Sequence, residues 1–144
     1  SATLVEELIV NGGKWMLKGY NGKYLAGHTK YWYDYPKGHA SMQNGPPTEE
    51  MKWIIEKTSE TQVTVTLRAK LVLSEAPFLR HTYLGKVNFV ETADAWEMWT
   101  PVKNSDGTWS FTSYGKWLSG HREDGLVEVM PENKACERFR LEPW

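Results

Sequence analysis

GKWLSGH, residues 115–121, repeats GKYLAGH, residues 22–28, at five of its seven positions. Each heptad overlaps a longer segment, WSFTSYGKWL at 109–118 or WMLKGYNGKYL at 15–25, in which an aromatic residue opens an alternating run. An internal repeat at long spacing is the sequence signature of a fold that is built from similar units. The heptads therefore predict that the chain forms the same local structure more than once.

Three similar segments close these units. They are MKWIIEK, WEMWTPV and ERFRLEP, at 51–57, 96–102 and 137–143. Trp53, Trp99 and Phe139 stand 46 and 40 residues apart, and we expect them to be equivalent. This spacing predicts one domain of three pseudo-symmetric repeats of about 40–48 residues. The approximate bounds of the repeats are 12–58, 60–103 and 106–144.

The middle repeat is degenerate. Residues 63–75, VTVTLRAKLVLSE, alternate as the outer repeats do, but Ala69-Lys70-Leu71 stands where the heptads have Gly-Lys-aromatic. The alternation predicts a strand with Val63, Val65 and Leu67 on one face.

Turn signals separate short strands along the whole chain. Asn21-Gly22 and Asp106-Gly107 are dipeptides that favour tight hairpins. The helical pattern of TEEMKWIIEK, residues 48–57, is outweighed by its place at the end of a repeat and allows one helical turn near 47–50. Three units of short strands predict an all-β fold, a single β-trefoil.

The sequence resembles the fascin-like group of β-trefoils. Units of that group carry a Gly-Lys-aromatic corner, matched by GKYL and GKWL, and end in Phe-x-aliphatic-Glu, matched by NKACERFRLE at 133–142. Residues 23–53 also resemble the amaranthin-type plant lectins, which have KYL, a Trp-bearing strand, Ala-Ser, an acidic turn and a Trp. The first resemblance implies actin bundling and the second implies sugar binding. The two therefore agree on the fold and differ on the function.

Charge and composition limit the classes of partner. The chain has 17 Lys and Arg against 18 Asp and Glu, a formal net charge of −1. A nucleic-acid binder normally has a basic face, so we expect no nucleic-acid partner. No stretch approaches the ~20 apolar residues that span a bilayer, so we expect no membrane insertion. Eight Trp and seven Tyr instead favour a surface with exposed aromatic rings.

Catalytic and metal motifs do not occur in the sequence. It has no Gly-x-Ser-x-Gly, P-loop, His-Glu-x-x-His or Cys-x-x-Cys. Cys136 stands at a small core position, so we expect a buried thiol. We therefore expect no enzyme activity, no cofactor and no metal. The single Cys, the lack of an Asn-x-Ser/Thr sequon and a start without a basic region favour a cytoplasmic protein, with non-classical secretion left open.

HTKYWYDYPKGH, residues 28–39, is the candidate site of the first unit. In a strand, its three tyrosines would face one side and Trp32 and Asp34 the other, so one row would face outward. A ring packs on the apolar face of a sugar, and a carboxylate accepts hydrogen bonds from hydroxyls. The candidate ligand-binding residues are His28, Trp32, Tyr33 and Asp34. The alternative is an aromatic strand that only protects an edge of the sheet.

The third unit continues after its heptad as a polar loop, HREDGLVEVMPENK at 121–134. We expect His28 and His121 to be exposed, because each follows a glycine at the end of its strand. The candidate ligand-binding residues of this unit are Trp117, His121 and Asp124. The alternative is a solvated loop behind a structural corner in which Leu25 and Leu118 point into the core.

The middle unit offers fewer candidates. Arg80, His81, Tyr83 and Asn88 are its polar residues of interest. Either Trp96 or Trp99 should be exposed, since both cannot fill the core position.

These observations predict a carbohydrate-binding, lectin-type module that binds glycans or glycoproteins without metal or catalysis. Single sites of this kind bind in the millimolar to micromolar range, so avidity would come from several sites or a homodimer. One alternative is a fascin-like protein that binds F-actin, although a neutral small domain offers little basic surface. Another is a trefoil protease inhibitor acting through MQNGPPTEE, residues 42–50.

Overall fold

The computed structural model describes residues 2–58, 63–82 and 84–144, with the backbone alone at residues 2 and 3. The described chain contains one α-helix, α1 (Ala2–Ile9), and twelve strands. The strands are β1 (Lys14–Lys18), β2 (Tyr24–His28), β3 (His39–Gln43), β4 (Trp53–Lys57), β5 (Val65–Ala69), β6 (Phe78–His81), β7 (Val87–Val90), β8 (Thr100–Lys103), β9 (Trp109–Ser113), β10 (Lys116–Ser119), β11 (Glu128–Met130) and β12 (Arg140–Pro143). Single 3-10 turns lie at Glu49–Met51, Ala95–Glu97 and Ala135–Glu137.

Six of the strands form a closed barrel. Antiparallel pairing joins β12 to β1, β1 to β4, β4 to β5 and β8 to β9. Single bridges, Val65 to Trp99 and Trp109 to Phe139, join β5 to β8 and β9 to β12. Among the described barrel strands this ring of pairings leaves no free edge, which removes the usual route to edge-to-edge association.

The other six strands form three hairpins, β2–β3, β6–β7 and β10–β11, at one end of the barrel. The third strand of each unit, β3, β7 or β11, donates one backbone amide to a loop of another unit. Met42 N donates to Gly125 O at 2.7 Å, Phe89 N to Lys37 O at 2.7 Å and Val129 N to Gly85 O at 3.0 Å. This threefold pattern confirms the predicted β-trefoil with three pseudo-symmetric units. The bounds of the repeats stay a prediction, and residue 60 lies outside the described residues.

The core contains the three residues that were expected to be equivalent. Trp53, Trp99 and Phe139 are fully buried in one hydrophobic cluster. The Trp53 indole Nε1 donates to Leu25 O at 2.9 Å, and the Trp99 indole donates to Leu79 O at 3.1 Å. Buried indole N–H groups need such partners, and here each one ties the barrel to a hairpin.

The heptads form the corner that the sequence predicts. Gly22 and Gly115 have φ of 80° and 74°, the left-handed backbone that glycine adopts without strain. Leu25 and Leu118 follow them into the core and are fully buried.

The middle unit does not have its corner where the alternation placed it. Leu79, not a residue of 69–71, is the counterpart of Leu25, because both carbonyls accept the indole hydrogen bond of the core Trp. The tight turn of the outer units is replaced by a longer loop, residues 70–77, between β5 and β6. Val63 was expected beside Val65 and Leu67 but is 43% exposed, because β5 begins only at Val65.

Helix α1 was not predicted from the sequence. Its side chains Val5 and Leu8 are buried in the main core. Glu6 and Glu7 pair with Lys57 and Lys103 at 3.0 and 2.8 Å, at the ends of β4 and β8. The helix therefore covers the end of the barrel where these strands finish. It is eight residues long, and no helix among the described residues has the length and hydrophobicity needed to span a bilayer.

Candidate functional site

The first unit contains an insertion between its second and third strands. Gly38, Gly85 and Gly125 occupy corresponding turns, each with φ between 77° and 84°. Thirteen positions separate Leu25 from Gly38, whereas six separate Leu79 from Gly85. The additional residues belong to the aromatic segment 28–39.

The insertion is a tight turn, so the expected strand with two rows of side chains is wrong. Trp32 N donates to Tyr35 O at 3.2 Å, and Tyr35 N donates to Trp32 O at 3.0 Å. This pairing places Tyr33 and Asp34 at the tip of a two-residue hairpin turn. Tyr31, Trp32 and Tyr33 are 66%, 52% and 91% exposed. We call residues 29–38 the aromatic hairpin.

A cluster of rings supports the base of the aromatic hairpin. The His39 ring lies at its centre, with centroid distances of 4.5 Å to His28, 4.6 Å to Tyr35 and 6.1 Å to Trp32. The Trp32 ring meets the His39 ring edge-on, and the His28 ring stacks on the His39 ring. Trp32 thus has one side packed against the protein while about half of its surface faces solvent.

His28 belongs to this support and is not exposed as expected. Its side chain retains 13% accessibility, since Nε2 bonds Ser41 Oγ at 2.8 Å and Gln43 Nε2 at 3.1 Å. Burial lowers the pKa of His28, and Glu50, 3.4 Å from Nδ1, opposes that shift. Burial, together with the neighbouring His28, lowers the pKa of His39 to about 4. Both rings are therefore neutral at pH 7. The His28 ring packs and forms hydrogen bonds, whereas the His39 ring acts through packing.

Cavities lie on both sides of the aromatic hairpin. The larger one has a volume of about 440 Å³, and Tyr31, Lys37, Glu75 and Glu91 are among its lining residues. The smaller one, about 160 Å³, is lined by His28, Lys30, Trp32, Glu50, Leu71 and Leu73. We call the larger cavity the hairpin cleft. Its volume falls within the range of roughly 300–1,000 Å³ that is common for ligand pockets.

Thr29 joins the aromatic hairpin to the long loop of the middle unit. Leu73 N donates to Thr29 Oγ1 at 2.9 Å, and Ser74 Oγ donates to Thr29 O at 2.8 Å. Thr29 is itself buried. The two segments that depart from the pseudo-symmetry, residues 29–38 and 70–77, therefore pack on each other, and both contribute to the lining of the two cavities.

The structure does not bring the third-unit candidates into a comparable cleft. His121 is half-buried, not exposed as expected, and its Nε2 bonds Glu128. Arg122 donates to both oxygens of Asp124 at 3.0 and 2.7 Å, and this pairing lowers the pKa of Asp124 to about 2. Trp117 is half-buried on β10 between its cross-strand neighbours Thr112 and Met130. The polar groups of this loop are thus bonded to one another.

In the middle unit, Trp99 is the core residue, and Trp96 is half-buried rather than exposed as expected. The Trp96 ring stacks on Tyr114 at 4.0 Å and meets the buried His81 ring edge-on at 5.1 Å. Tyr83 lies outside the described residues. Within the described ranges, no group of three or more His, Cys, Asp or Glu side chains is arranged to hold a metal ion.

The sequence did not identify most of the polar lining of the hairpin cleft. Glu75 and Glu91 come from the middle unit, more than 40 positions after Tyr31. No local pattern connects them with residues 28–39. Tyr31 was visible as part of the aromatic run, but the assumed strand placed it opposite Trp32.

No protein-family model matches this sequence, and a search of curated proteins found no significant match. Solved structures do match. The designed threefold-symmetric protein ThreeFoil gives a TM-score of 0.73 at 14% identity, over 90% of this chain and 97% of that one. SeviL, solved bound to the asialo-GM1 saccharide, gives 0.69 at 14% identity, over 90% of this chain and 96% of that one.

A GlcNAcα1-4Gal-releasing endo-β-galactosidase from Clostridium perfringens gives a TM-score of 0.70 at 13% identity. The match covers 91% of this chain and 32% of that one, so it concerns one part of a larger protein. The fascin-like and amaranthin-type resemblances stay predictions. At such low identities the likeness concerns the fold alone, and the chain has the β-trefoil fold.

Proposed function

We propose that the protein is a non-catalytic, metal-independent carbohydrate-binding module of lectin type. The observation that carries this proposal is the aromatic hairpin, which exposes three adjacent rings beside a cleft of about 440 Å³. Exposed aromatic groups cost free energy in water unless a partner covers them. Sugars are suitable partners because their C–H faces pack on rings while their hydroxyls bond to polar groups.

The hairpin cleft offers both kinds of contact. The Tyr31 ring forms part of its wall, and Glu75 and Glu91 supply carboxylate acceptors. Lys37 adds a cationic donor on the hairpin side. Carboxylates are strong acceptors for hydroxyl donors, and a lysine can donate to ring or hydroxyl oxygens. A pyranose that stacks on Tyr31 would thus place its hydroxyls among these groups.

Trp32, Tyr33 and Asp34 lie at or next to the tip of the hairpin and would contact a second sugar unit outside the cleft. Lys30 Nζ lies 5.9 Å from the Trp32 ring centroid, on the exposed side of the molecule. His28 is then a supporting residue, since its ring holds the base of the hairpin through Ser41 and His39. An oligosaccharide would accordingly bind along the hairpin.

The third unit is the lesser candidate for sugar binding. Its Trp117, His121 and Asp124 remain proposed ligand contacts, but the last two already bond to Glu128 and Arg122. A ligand would have to replace those bonds. Avidity would then come from binding along one hairpin, from the third unit or from a homodimer.

The test is a glycan array with the purified protein, followed by titration of the glycans that bind. Tyr31→Ala and Trp32→Ala should each weaken binding about tenfold, since a stacked ring contributes roughly 1–2 kcal/mol. Tyr114→Ala is the control, because it removes a ring that is 59% exposed in another unit. Trp117→Ala and His121→Ala, titrated in parallel, report on the third unit.

Two results would count against the proposal or its site. The first concerns the site: folded Trp32→Ala and Tyr31→Ala proteins that each keep full glycan binding would refute the assignment of the main site to the aromatic hairpin. The second is a protein that binds no glycan on the array but co-sediments with F-actin, which would favour the fascin-like alternative. Protease inhibition through residues 42–50 stays a prediction that a panel of serine and cysteine proteases would test.

A further inference from the structure

A second cleft lies where the third unit meets the first. It has a volume of about 390 Å³ and shares no lining residue with the hairpin cleft. Residues from β1 and its turn, from the turn before β9 and from the last 3-10 turn and β12 line it. The lining residues that matter here are Lys18, Tyr20, Asp106, Thr108, Arg138 and Arg140. We call it the basic cleft.

The pseudo-symmetry gives the basic cleft two counterparts. Arg138, Met98 and Lys52 each directly precede one of the three equivalent core residues. The pairings of the barrel strands then identify the equivalent residues on the two strands that flank each of these positions. Three residues, Thr108, Arg138 and Tyr20, thereby correspond to Thr64, Met98 and Tyr114 at the next junction and to Lys14, Lys52 and Lys70 at the last one.

At the junction of the first and middle units, a ring of the protein itself fills the counterpart position. The Trp144 indole Nε1 donates to Trp53 O at 3.1 Å. The Nζ atoms of the three lysines at that junction lie 5.4, 5.4 and 5.7 Å from the Trp144 ring. The junction geometry of this fold thus accommodates an aromatic ring flanked by cationic side chains.

Of the three counterpart residues in the basic cleft only Arg138 is a cation, and Lys18 and Arg140 add two further cations to its lining. Arg140 is exposed and makes no ion pair among the described residues. Lys18 Nζ lies 3.8 Å from Glu142, and Arg138 Nη1 lies 3.7 Å from Asp106, both at the long limit of an ion pair. Three cations therefore face one lining carboxylate.

Two details indicate that these cations have capacity for a ligand. The Arg138 Nε atom is buried and has no hydrogen-bond partner among the described residues. The Asp106 carboxylate is already engaged, since Oδ1 accepts the Thr108 amide and hydroxyl at 3.0 and 2.5 Å. A buried donor that lacks a partner costs free energy, and a bound oxyanion would supply the missing acceptor.

We propose that the basic cleft binds the sulfate or carboxylate group of an acidic sugar, with the sugar ring against Tyr20. Arg140, Arg138 and Lys18 hold the oxyanion, and Tyr20, which is 59% exposed, provides the ring surface. The volume of the cleft is ample for an anion together with a sugar ring. The sugar part of this ligand rests on the proposed function, whereas the site and its charge selectivity are additional to it.

The test uses three probes in calorimetric titrations: a sulfated hexasaccharide, the same hexasaccharide after desulfation, and sodium sulfate. The sulfated probe should bind at least about tenfold more tightly than the desulfated one, because charge-assisted hydrogen bonds are the strong ones. Arg140→Gln should weaken its binding about tenfold, and Lys18→Gln combined with Arg140→Gln should weaken it further. Raising the salt concentration to about 0.5 M should also weaken it.

Arg68→Gln is the matched control, because it removes the same charge from a barrel strand at another junction, where Arg68 pairs with Glu56 at 2.8 Å. It should leave the affinity unchanged. Equal affinities for wild type and the Lys18→Gln, Arg140→Gln protein would overturn the proposal. Sodium sulfate that binds as tightly as the sulfated hexasaccharide would also overturn it, since the site would then recognise a free anion.

The two proposals fail separately. Neutral glycans that bind through Trp32, without Arg140-dependent binding of the sulfated probe, would remove the basic cleft and leave the hairpin cleft in place. The reverse outcome is a protein that binds no neutral glycan but binds the sulfated probe in a way that depends on Arg140 and is unchanged by Trp32→Ala. That outcome would remove the hairpin cleft and leave the basic cleft in place.

Discussion

Replacing Trp53 by Phe should destabilise the protein, even though the third unit carries Phe139 at the counterpart position. The Trp53 indole donates to the Leu25 carbonyl at 2.9 Å in the core. Met42, the cross-strand neighbour of Leu25, directs its amide to Gly125 O instead. Phenylalanine has no N–H, so the Leu25 carbonyl would lose this donor while it stays buried.

The magnitude follows from two contributions. A buried polar group that loses its partner costs about 1–3 kcal/mol. The substitution also removes two ring carbons from a fully buried side chain, at roughly 0.8 kcal/mol for each. The free energy of unfolding should therefore fall by about 3–4 kcal/mol. For a chain of this size, that corresponds to a drop in Tm of roughly 10 °C.

Gly27 provides an internal check on this reasoning. A Cβ atom at Gly27 would lie 3.0 Å from Trp53 Cη2 and 3.0 Å from Phe89 Cζ. In the wild type, Gly27→Ala should thus cost about 1–3 kcal/mol, because two rings must shift. In the Trp53→Phe background the indole atom is gone, so the same methyl group should cost less. The two substitutions should couple by at least about 0.5 kcal/mol.

Urea denaturation followed by far-UV circular dichroism, applied to the wild type, both single variants and the double variant, measures all four free energies. A Trp53→Phe protein within about 0.5 kcal/mol of the wild type would refute the role given to the indole N–H. Additive effects in the double variant would refute the packing of Gly27 against the Trp53 ring.

Two further predictions concern pH and backbone geometry. The stability contributed by neutral His28 and His39 should be complete above about pH 6.5 and should be lost as the pH falls toward about 4, because the unfolded chain then binds protons that the folded chain excludes. Urea denaturation across this range measures the loss, and a slope that His39→Gln leaves unchanged would contradict the assignment. Gly115→Ala should cost only about 1 kcal/mol for its φ of 74°, since the space around it is open. Gly13→Ala should cost far more in the same assay, because its Cβ would lie 2.0 Å from the Ile55 carbonyl oxygen, and similar costs at both positions would count against this explanation.

The fold was predictable because its repeated parts are visible in the sequence. The heptads lie at the tight turn that the two outer units share, and the three closing segments lie at the core layer that all three units share. The middle corner was misplaced because loop 70–77 replaces the tight turn, and Lys70 after an alternating run matched the pattern without sharing its structure. Helix α1 was missed because eight residues give little periodic signal, and burial of Val5 and Leu8 supplies its stability.

The location of the candidate site was predictable, but its shape was not. The density of aromatic residues in 28–39 was enough to single out this segment. Its conformation depends on the pairing of Trp32 with Tyr35 and on the bonds that Thr29 makes to the middle unit. The bonds of Thr29 to Leu73 and Ser74 join residues more than 40 positions apart, so the local sequence pattern gives no sign of them. The charged residues that line the clefts, such as Glu91 and Arg140, also come together from segments that are distant in the sequence.

The comparison between the outer units also predicts which of them binds more tightly. In the third unit, a ligand at His121 or Asp124 must displace bonds to Glu128 or Arg122, and each lost bond to a charged group offsets about 1.5–3 kcal/mol of the binding free energy. The rings of the aromatic hairpin exchange only water when a sugar covers them. Both units carry the same heptad, so the difference arises from the residues that follow it. Trp32→Ala should therefore reduce binding of neutral glycans more than Trp117→Ala does, and the reverse order in the array titrations would place the main site in the third unit.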